Sequence, residues 1–198
     1  MKNRQTFKIC FVSHGLAGGG MERALVSLAN HFADKNHEIT ILNIYRTEVF
    51  FDVDARIKIV WPEIKRVNRV WYILRLIPFL RNEIKQLKPD VVFSFGETFN
   101  SYVILATLFL NIKIVLSNRM WPSLKLGFPA EYLNRLLYRF ANGVIAQTNT
   151  ARQFICKRSY NSNIIVIPNA VKPIEIKQFT KKKQIISDGS ISNAHEHI

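Results

Sequence analysis

Short apolar runs alternate with stretches of helical periodicity along most of this chain. "KICFVSH" (8–14) is an apolar run ending in a turn. From Met21 onward, Ala24, Leu25, Leu28, Ala29 and Phe32 recur at the spacing of one buried helical stripe. "HEITILNIY" (37–45) is β-branched and strand-like, and "RIKIVW" (56–61) predicts a further short strand. Helical periodicity then spans about 65–88, with Pro78 expected to kink or break it.

The second half continues the alternation. "PDVVFSF" (89–95), "KIVLS" (113–117), "GVIAQT" (143–148) and "NIIVI" (163–167) read as strands. Helices are predicted at 98–110, at about 130–141 (burying Leu133, Leu136, Leu137 and Phe140) and at 149–159. "NRMWPSLKLGFP" (118–129) is a loop by its prolines and glycine. Strands this apolar, separated by helices, require a parallel sheet covered on both faces, a doubly wound, Rossmann-like α/β fold. That domain is expected over 1–167. The polar, basic "PNAVKPIEIKQFTKKK" reads as a linker over 168–183, and 184–198 reads as the first strand of a further domain.

Composition narrows the classes. The 198 residues are 48% hydrophobic, enough for one sizeable core. The chain has 28 basic and 14 acidic residues, a net charge of +14, which favours anionic partners: nucleic acid, phosphorylated small molecules or an anionic membrane. Cys10 and Cys156 sit in apolar segments without metal-like spacing, so both are expected as buried thiols in a reducing cytosol. The polar start and the interruption of the longest apolar run by Asn111 and Lys113 predict a cytoplasmic protein, with docking on the inner membrane face as a further expectation.

Three glycines, Gly18, Gly19 and Gly20, stand between the first strand and the first helix. Such a turn leaves N–H groups free at the positive end of a helix dipole, which suits an anion; a tight turn alone is the other reading. The dinucleotide fingerprint fails, because Arg23 occupies the third glycine position and no acid ends strand two. Gly19, Gly20 and Glu22 instead match a Gly-Gly-x-Glu turn, "NHEI" (36–39) a Gly-His-Glu-Val strand entry, "LKPDVVFSF" a Pro-Asp-Val-Val strand, and "VIPNAV" (166–171) a Pro-Asn-Gly-Val linker. In this order and spacing the chain resembles the N-terminal, acceptor-side domain of family 4 glycosyltransferases, which have the GT-B architecture.

The resemblance implies a hexosyltransferase-type enzyme of cell-surface polysaccharide synthesis. Its donor would be a UDP- or GDP-sugar, its acceptor a glycan or a polyprenyl-linked sugar, and it would need no metal or other cofactor. Gly18, Gly19 and Gly20 would face the donor diphosphate or sugar. Where many members carry a histidine this chain has Phe95, followed by Gly96 and Glu97. Glu97 is either an acceptor-hydroxyl contact or an ordinary helix-start acid. Asn118 and Arg119 stand where some members have Glu-Arg; Arg119 would pair with a phosphate or form a surface salt bridge. His14 and Glu97 are the catalytic candidates. The family's nucleotide-gripping segment belongs to the second domain, so residues 1–198 alone are expected to be inactive.

The segment 65–88 carries seven basic residues and one acid, with Trp71, Tyr72 and Phe79 beyond what one core stripe needs. It is either a membrane-docking helix using Arg66, Arg69, Trp71 and Arg75, or a core helix with a solvated basic flank. A basic nucleic-acid-binding protein is the alternative from another class, although no zinc finger, RNA-binding motif or helix-turn-helix signature is present. A non-catalytic partner completing a cleft with another chain is a third.

Overall fold

A computed structural model describes residues 5–64, 68–119 and 126–169. Seven strands form one sheet: β1 (Lys8–Ser13), β2 (Glu38–Asn43), β3 (Lys58–Val60), β4 (Val91–Phe95), β5 (Lys113–Ser117), β6 (Gly143–Ala146) and β7 (Ile164–Val166). Their spatial order is β3-β2-β1-β4-β5-β6-β7, and every neighbouring pair is parallel. The helices are α1 (Gly20–Asp34), α2 (Arg69–Leu87), α3 (Glu97–Thr107), α4 (Ala130–Leu137) and α5 (Asn149–Arg158), with a 3₁₀ turn at Tyr138–Phe140. This is the doubly wound α/β fold the apolar runs predict. Arg66, the linker from residue 170 and the strand expected at 184–198 lie outside the described residues.

Alternation along the strands divides the core. Ile9, Phe11, Ile39 and Ile41 face α1, which buries Leu25, Val26, Ala29 and Ala33 against them. Cys10, Val12, Leu42, Ile44 and Val92 face the other way, under α2 and α3. Ile114, Leu116, Val144, Ala146 and Ile164 continue that second face beneath α3, the 3₁₀ turn and α5. Each fully buried large apolar side chain contributes about 1.5–3 kcal/mol. The long apolar runs of β1 and β4 follow from burial on both faces.

Helix ends obey local chemistry. The Asn68 side chain accepts from Trp71 N at 2.9 Å, and the Thr148 hydroxyl from Ala151 N at 3.0 Å, so α2 and α5 begin on side-chain caps. Pro78 does not break α2. It lies on the exposed face, where water can bond the carbonyl that its missing N–H leaves free. Tyr72, expected as surplus, is buried beside Leu76, Leu80 and Ile84, and its hydroxyl donates to Ile44 O; Phe79 packs on the same core.

Two burial expectations are corrected. Phe140 is exposed, because the chain tightens into the 3₁₀ turn and sends Tyr138 into the core instead; Arg139 lies over the Phe140 ring. Cys10 is buried, and that burial pushes its thiol pKa up. Cys156 is exposed, since Ala151 and Ile155 take the inward face of α5 and residue 156 turns about 100° away from Ile155.

Beyond β2, Asp54 accepts from Arg56 N (2.8 Å) and from its guanidinium (2.9 and 2.6 Å), which holds the Asp54 carboxyl down at about 2. A carboxyl depressed by folding stabilises the protein above its ordinary pKa and loses that contribution as pH falls through the folded value. In urea titrations, Asp54→Asn should be less stable than the parent near neutral pH. The gap should close between about pH 4 and pH 2; a constant gap would contradict the assignment.

Candidate functional site

β1 and β4 are adjacent, yet the chain leaves β1 toward β2 and leaves β4 toward β5. Their C-terminal ends therefore bound a crevice, the usual ligand position of an open parallel sheet. On one side, β1 ends at Ser13 and α1 starts at Gly20 after the glycine turn. Gly19 caps α1 in an extended conformation (φ −154°) with no side-chain bond to the first amides. Those N–H groups lack intrahelical partners and carry the positive end of the dipole.

The three glycines have different surroundings. A Cβ on Gly18 would meet the Phe50 ring at 3.3 Å, and one on Gly19 would collide with the Glu22 carboxylate. One on Gly20 would meet nothing within 4 Å. Gly20 therefore fronts open space, while Glu22 folds its charge against Gly19.

The other side is the end of β4. Gly96 has φ +115°, a conformation unfavourable for residues with a Cβ, and Met21 Sδ lies 3.2 Å from where a Cβ would stand. The first turn of α1 thus packs on the turn into α3. Glu97 opens α3 and is 7% exposed, and its carbonyl accepts from Asn134 Nδ2 at 2.9 Å.

Behind Glu97 lies a polar network. Ser94 Oγ donates to Asn100 Oδ1 (2.7 Å), and Asn100 Nδ2 donates to Tyr138 Oη (2.8 Å) and Asn118 Oδ1 (3.2 Å). Tyr138 Oη donates in turn to Asn118 Oδ1 at 3.0 Å. Burial drives the Tyr138 hydroxyl pKa up, and the nearby Glu97 charge adds to that; the bond accepted from Asn100 and the bond donated to Asn118 offset part of it. The phenol therefore stays protonated.

Arg119 leaves β5 over the Phe95 ring, its guanidinium carbon 4.5 Å from the centroid. Its Nε donates to Ser117 Oγ at 2.9 Å, and Nη1 donates to Asn169 Oδ1, which also accepts from Gln147 Nε2 at 2.8 Å. Partial burial lowers its pKa, and the Glu97 charge opposes the shift. Arg119 is thus held by a hydroxyl, an amide and a ring, within the field of the Glu97 carboxylate.

Glu97, Asn118 and Arg119 therefore share one cluster, as the strand-end positions suggest. His14 is exposed at the end of β1, its ring 4.8 Å from Tyr45 and 5.6 Å from Phe99 of α3. Tyr45 stacks on Tyr72 at 5.0 Å, which brings the first turn of α2 to the same rim. Arg69, Trp71 and Arg75 are exposed on α2. Asn100 and Tyr138 were not singled out by motif. Their signal was the polar "TFNSY" inside an apolar helix and one tyrosine in a leucine stripe.

Gly96→Ala should destabilise the fold by about 1–3 kcal/mol of strain, read as a lower urea midpoint, with Met21 forced to shift. An unchanged midpoint would show that α1 and α3 do not need this close approach.

Comparison with known proteins gives this geometry a context. A family model for Glycosyltransferase Family 4 matches residues 18–174. A Campylobacter jejuni protein named GalNAc-alpha-(1->4)-GalNAc-alpha-(1->3)-diNAcBac-PP-undecaprenol alpha-1,4-N-acetyl-D-galactosaminyltransferase is 30% identical over 141 residues, covering 69% of this chain and 39% of the relative. A Haemophilus influenzae uncharacterized glycosyltransferase is 25% identical over 193 residues, 91% of this chain and 52% of the relative. The chain thus spans about half the length, or less, of these relatives. Among solved structures, the lipopolysaccharide outer core galactosyltransferase WaaB in its apo form superposes with a TM-score of 0.65 at 17% identity, over 86% of this chain and 47% of that one, a likeness of fold. The fold and the match over most of the sequence agree: the chain belongs to glycosyltransferase family 4.

Proposed function

We propose that this chain is the acceptor-side lobe of a glycosyltransferase that moves a sugar from a UDP- or GDP-sugar to a glycan or polyprenyl-linked acceptor in cell-surface polysaccharide synthesis. The observation that carries the reading is the open face of Gly20 at an uncapped helix start, beside the Glu97, Asn118 and Arg119 cluster. In the reaction the acceptor hydroxyl oxygen bonds to the anomeric carbon as the bond to the diphosphate breaks, and the hydroxyl proton passes to the departing diphosphate oxygen. Negative charge grows on the leaving diphosphate, and fixed amide dipoles at α1 stabilise it without reorganising.

Arg119 would meet a phosphate of the lipid-linked acceptor, with Glu97 keeping its guanidinium charged and oriented. His14 would border the acceptor sugar from the aromatic rim. The name of the Campylobacter relative, which specifies an undecaprenyl-diphosphate-linked acceptor, supports this acceptor class. The nucleotide-binding groups would come from a second lobe, in accord with the relatives' greater length. Family membership weighs against the nucleic-acid reading.

Mixing the chain with a separately produced second lobe of the Campylobacter relative should give transfer from a UDP-sugar to a polyprenyl-diphosphate-linked glycan. Gly20→Val should cut that rate about 10²-fold by blocking approach to the amides. Full activity in the variant would remove Gly20 from the mechanism.

We also read the exposed face of α2 as a dock for an anionic membrane on which such an acceptor resides. Val70, Trp71 and Leu74 are 67%, 58% and 55% exposed, with Arg69 and Arg75 beside them at the crevice rim. No described helix is long and apolar enough to cross a membrane. Replacing Arg69 and Arg75 together by serine should lower co-sedimentation with anionic vesicles about tenfold or more, at about 1 kcal/mol per basic residue. Retention equal to the parent would end this reading.

A further inference from the structure

The connection from α3 to β5, lying beside the C-terminal end of α2, carries an unusual residue. Phe109 is 97% exposed and has φ +62°, a left-handed conformation that bulky side chains rarely adopt. Yet it is firmly held: Leu110 N donates to Thr107 O (3.0 Å) and Ile112 N to Leu110 O (2.8 Å). Arg81 reaches from α2 to donate to Ala106 O (3.0 Å) and Leu108 O (2.8 Å), fixing the end of α3 against α2.

Beside Phe109 runs a shallow groove of about 340 Å³, lined by Ile84, Lys85, Lys88, Leu110 and Ile112. Lys85 and Lys88 are exposed, and the neighbouring acids are turned elsewhere. Asp90 accepts from Lys8 N at 2.7 Å, and Glu83 is half-buried with its charge acting on the buried Cys10. The outward charge here is positive. Trp71, Leu74, Pro78 and Lys85 are exposed along one side of α2, so Trp71 and Lys85 stand about 21 Å apart at 1.5 Å per residue.

We propose that Phe109 is a second membrane anchor, entering the interface of an anionic phospholipid bilayer while Lys85 and Lys88 meet lipid phosphates. This rests on the membrane reading of α2 above, and adds to it a contact from a different element. A ring projecting into solvent between lysines suits a deformable anionic interface, whereas a protein partner would have to supply a matching cavity. With contacts at both ends, α2 lies flat on the bilayer, and the crevice at its first turn is held at a fixed height above the lipid. An enzyme with a lipid-tethered acceptor needs that geometry.

The test uses vesicles of phosphatidylglycerol and phosphatidylcholine. Phe109→Ser should lower the bound fraction about tenfold, the order expected for withdrawing one phenyl ring from an apolar environment. Lys85→Ser with Lys88→Ser should do the same, and pure phosphatidylcholine should retain little of any variant. A nitroxide on Phe109→Cys, in a Cys156→Ser background because Cys156 is exposed and Cys10 buried, should become oxygen-accessible and nickel-protected on vesicles. If Phe109→Ser binds like the parent while Trp71→Ser with Leu74→Ser does not, the second anchor is wrong and the α2 dock stands. If neither variant loses binding, both fall. A nitroxide unchanged by vesicles, with concentration-dependent self-association that Phe109→Ser abolishes, would assign the ring to a second copy of the chain and overturn the proposal.

Discussion

Between β1 and β4 the two winding directions of the chain part, and the crevice there depends on two helix starts coming almost into contact. That approach is favoured because residue 96 has no side chain: at φ +115° a Cβ would be strained, and Met21 Sδ, 3.2 Å from its position, would have to give way. The consequence reaches both walls. α1 presents its free amides beside α3, and Glu97, the next residue, is carried inward rather than into solvent. The positive end of one helix and a buried carboxylate at the start of the next are thus placed as neighbours by backbone geometry alone.

Charge within the crevice is organised by partners of differing kind. Glu97 is the fixed negative group, and its field is felt by Arg119 and by the Tyr138 hydroxyl. The network of Ser94, Asn100, Tyr138 and Asn118 uses uncharged groups, so it orients atoms without adding net charge. Asn118 Oδ1 accepts from two of them, which defines how the amide sits at the end of β5. Buried polar networks of this kind specify geometry more than they add stability.

Much of the fold was legible in the apolar pattern, because strands buried on both faces read as unbroken runs and α1 as a single stripe. Where the reading departed from the structure, a rotation or an exposed face was responsible. Periodicity placed the stripe of α4 but could not foresee the 3₁₀ turn that exchanges Phe140 for Tyr138. It could not tell that Pro78 faces solvent and leaves α2 whole, or that Cys156 sits one residue past the buried Ile155. At the candidate site, the glycine turn was readable from its composition, and Glu97, Asn118 and Arg119 were singled out through the family resemblance; the structure places the last three in one cluster. The residues behind them were not readable, since a buried asparagine or tyrosine has no characteristic spacing and is defined only by groups distant in sequence.

Asn169 has a further significance. Its side-chain oxygen is shared by Arg119 and Gln147, so the segment leaving β7 is tied to the same guanidinium that borders the crevice. A phosphate bound at Arg119, as proposed, would compete with that amide, and the two equilibria would be thermodynamically linked. Whatever factor the anion imposes on the grip at Asn169, a shift of Asn169 imposes on anion affinity in return.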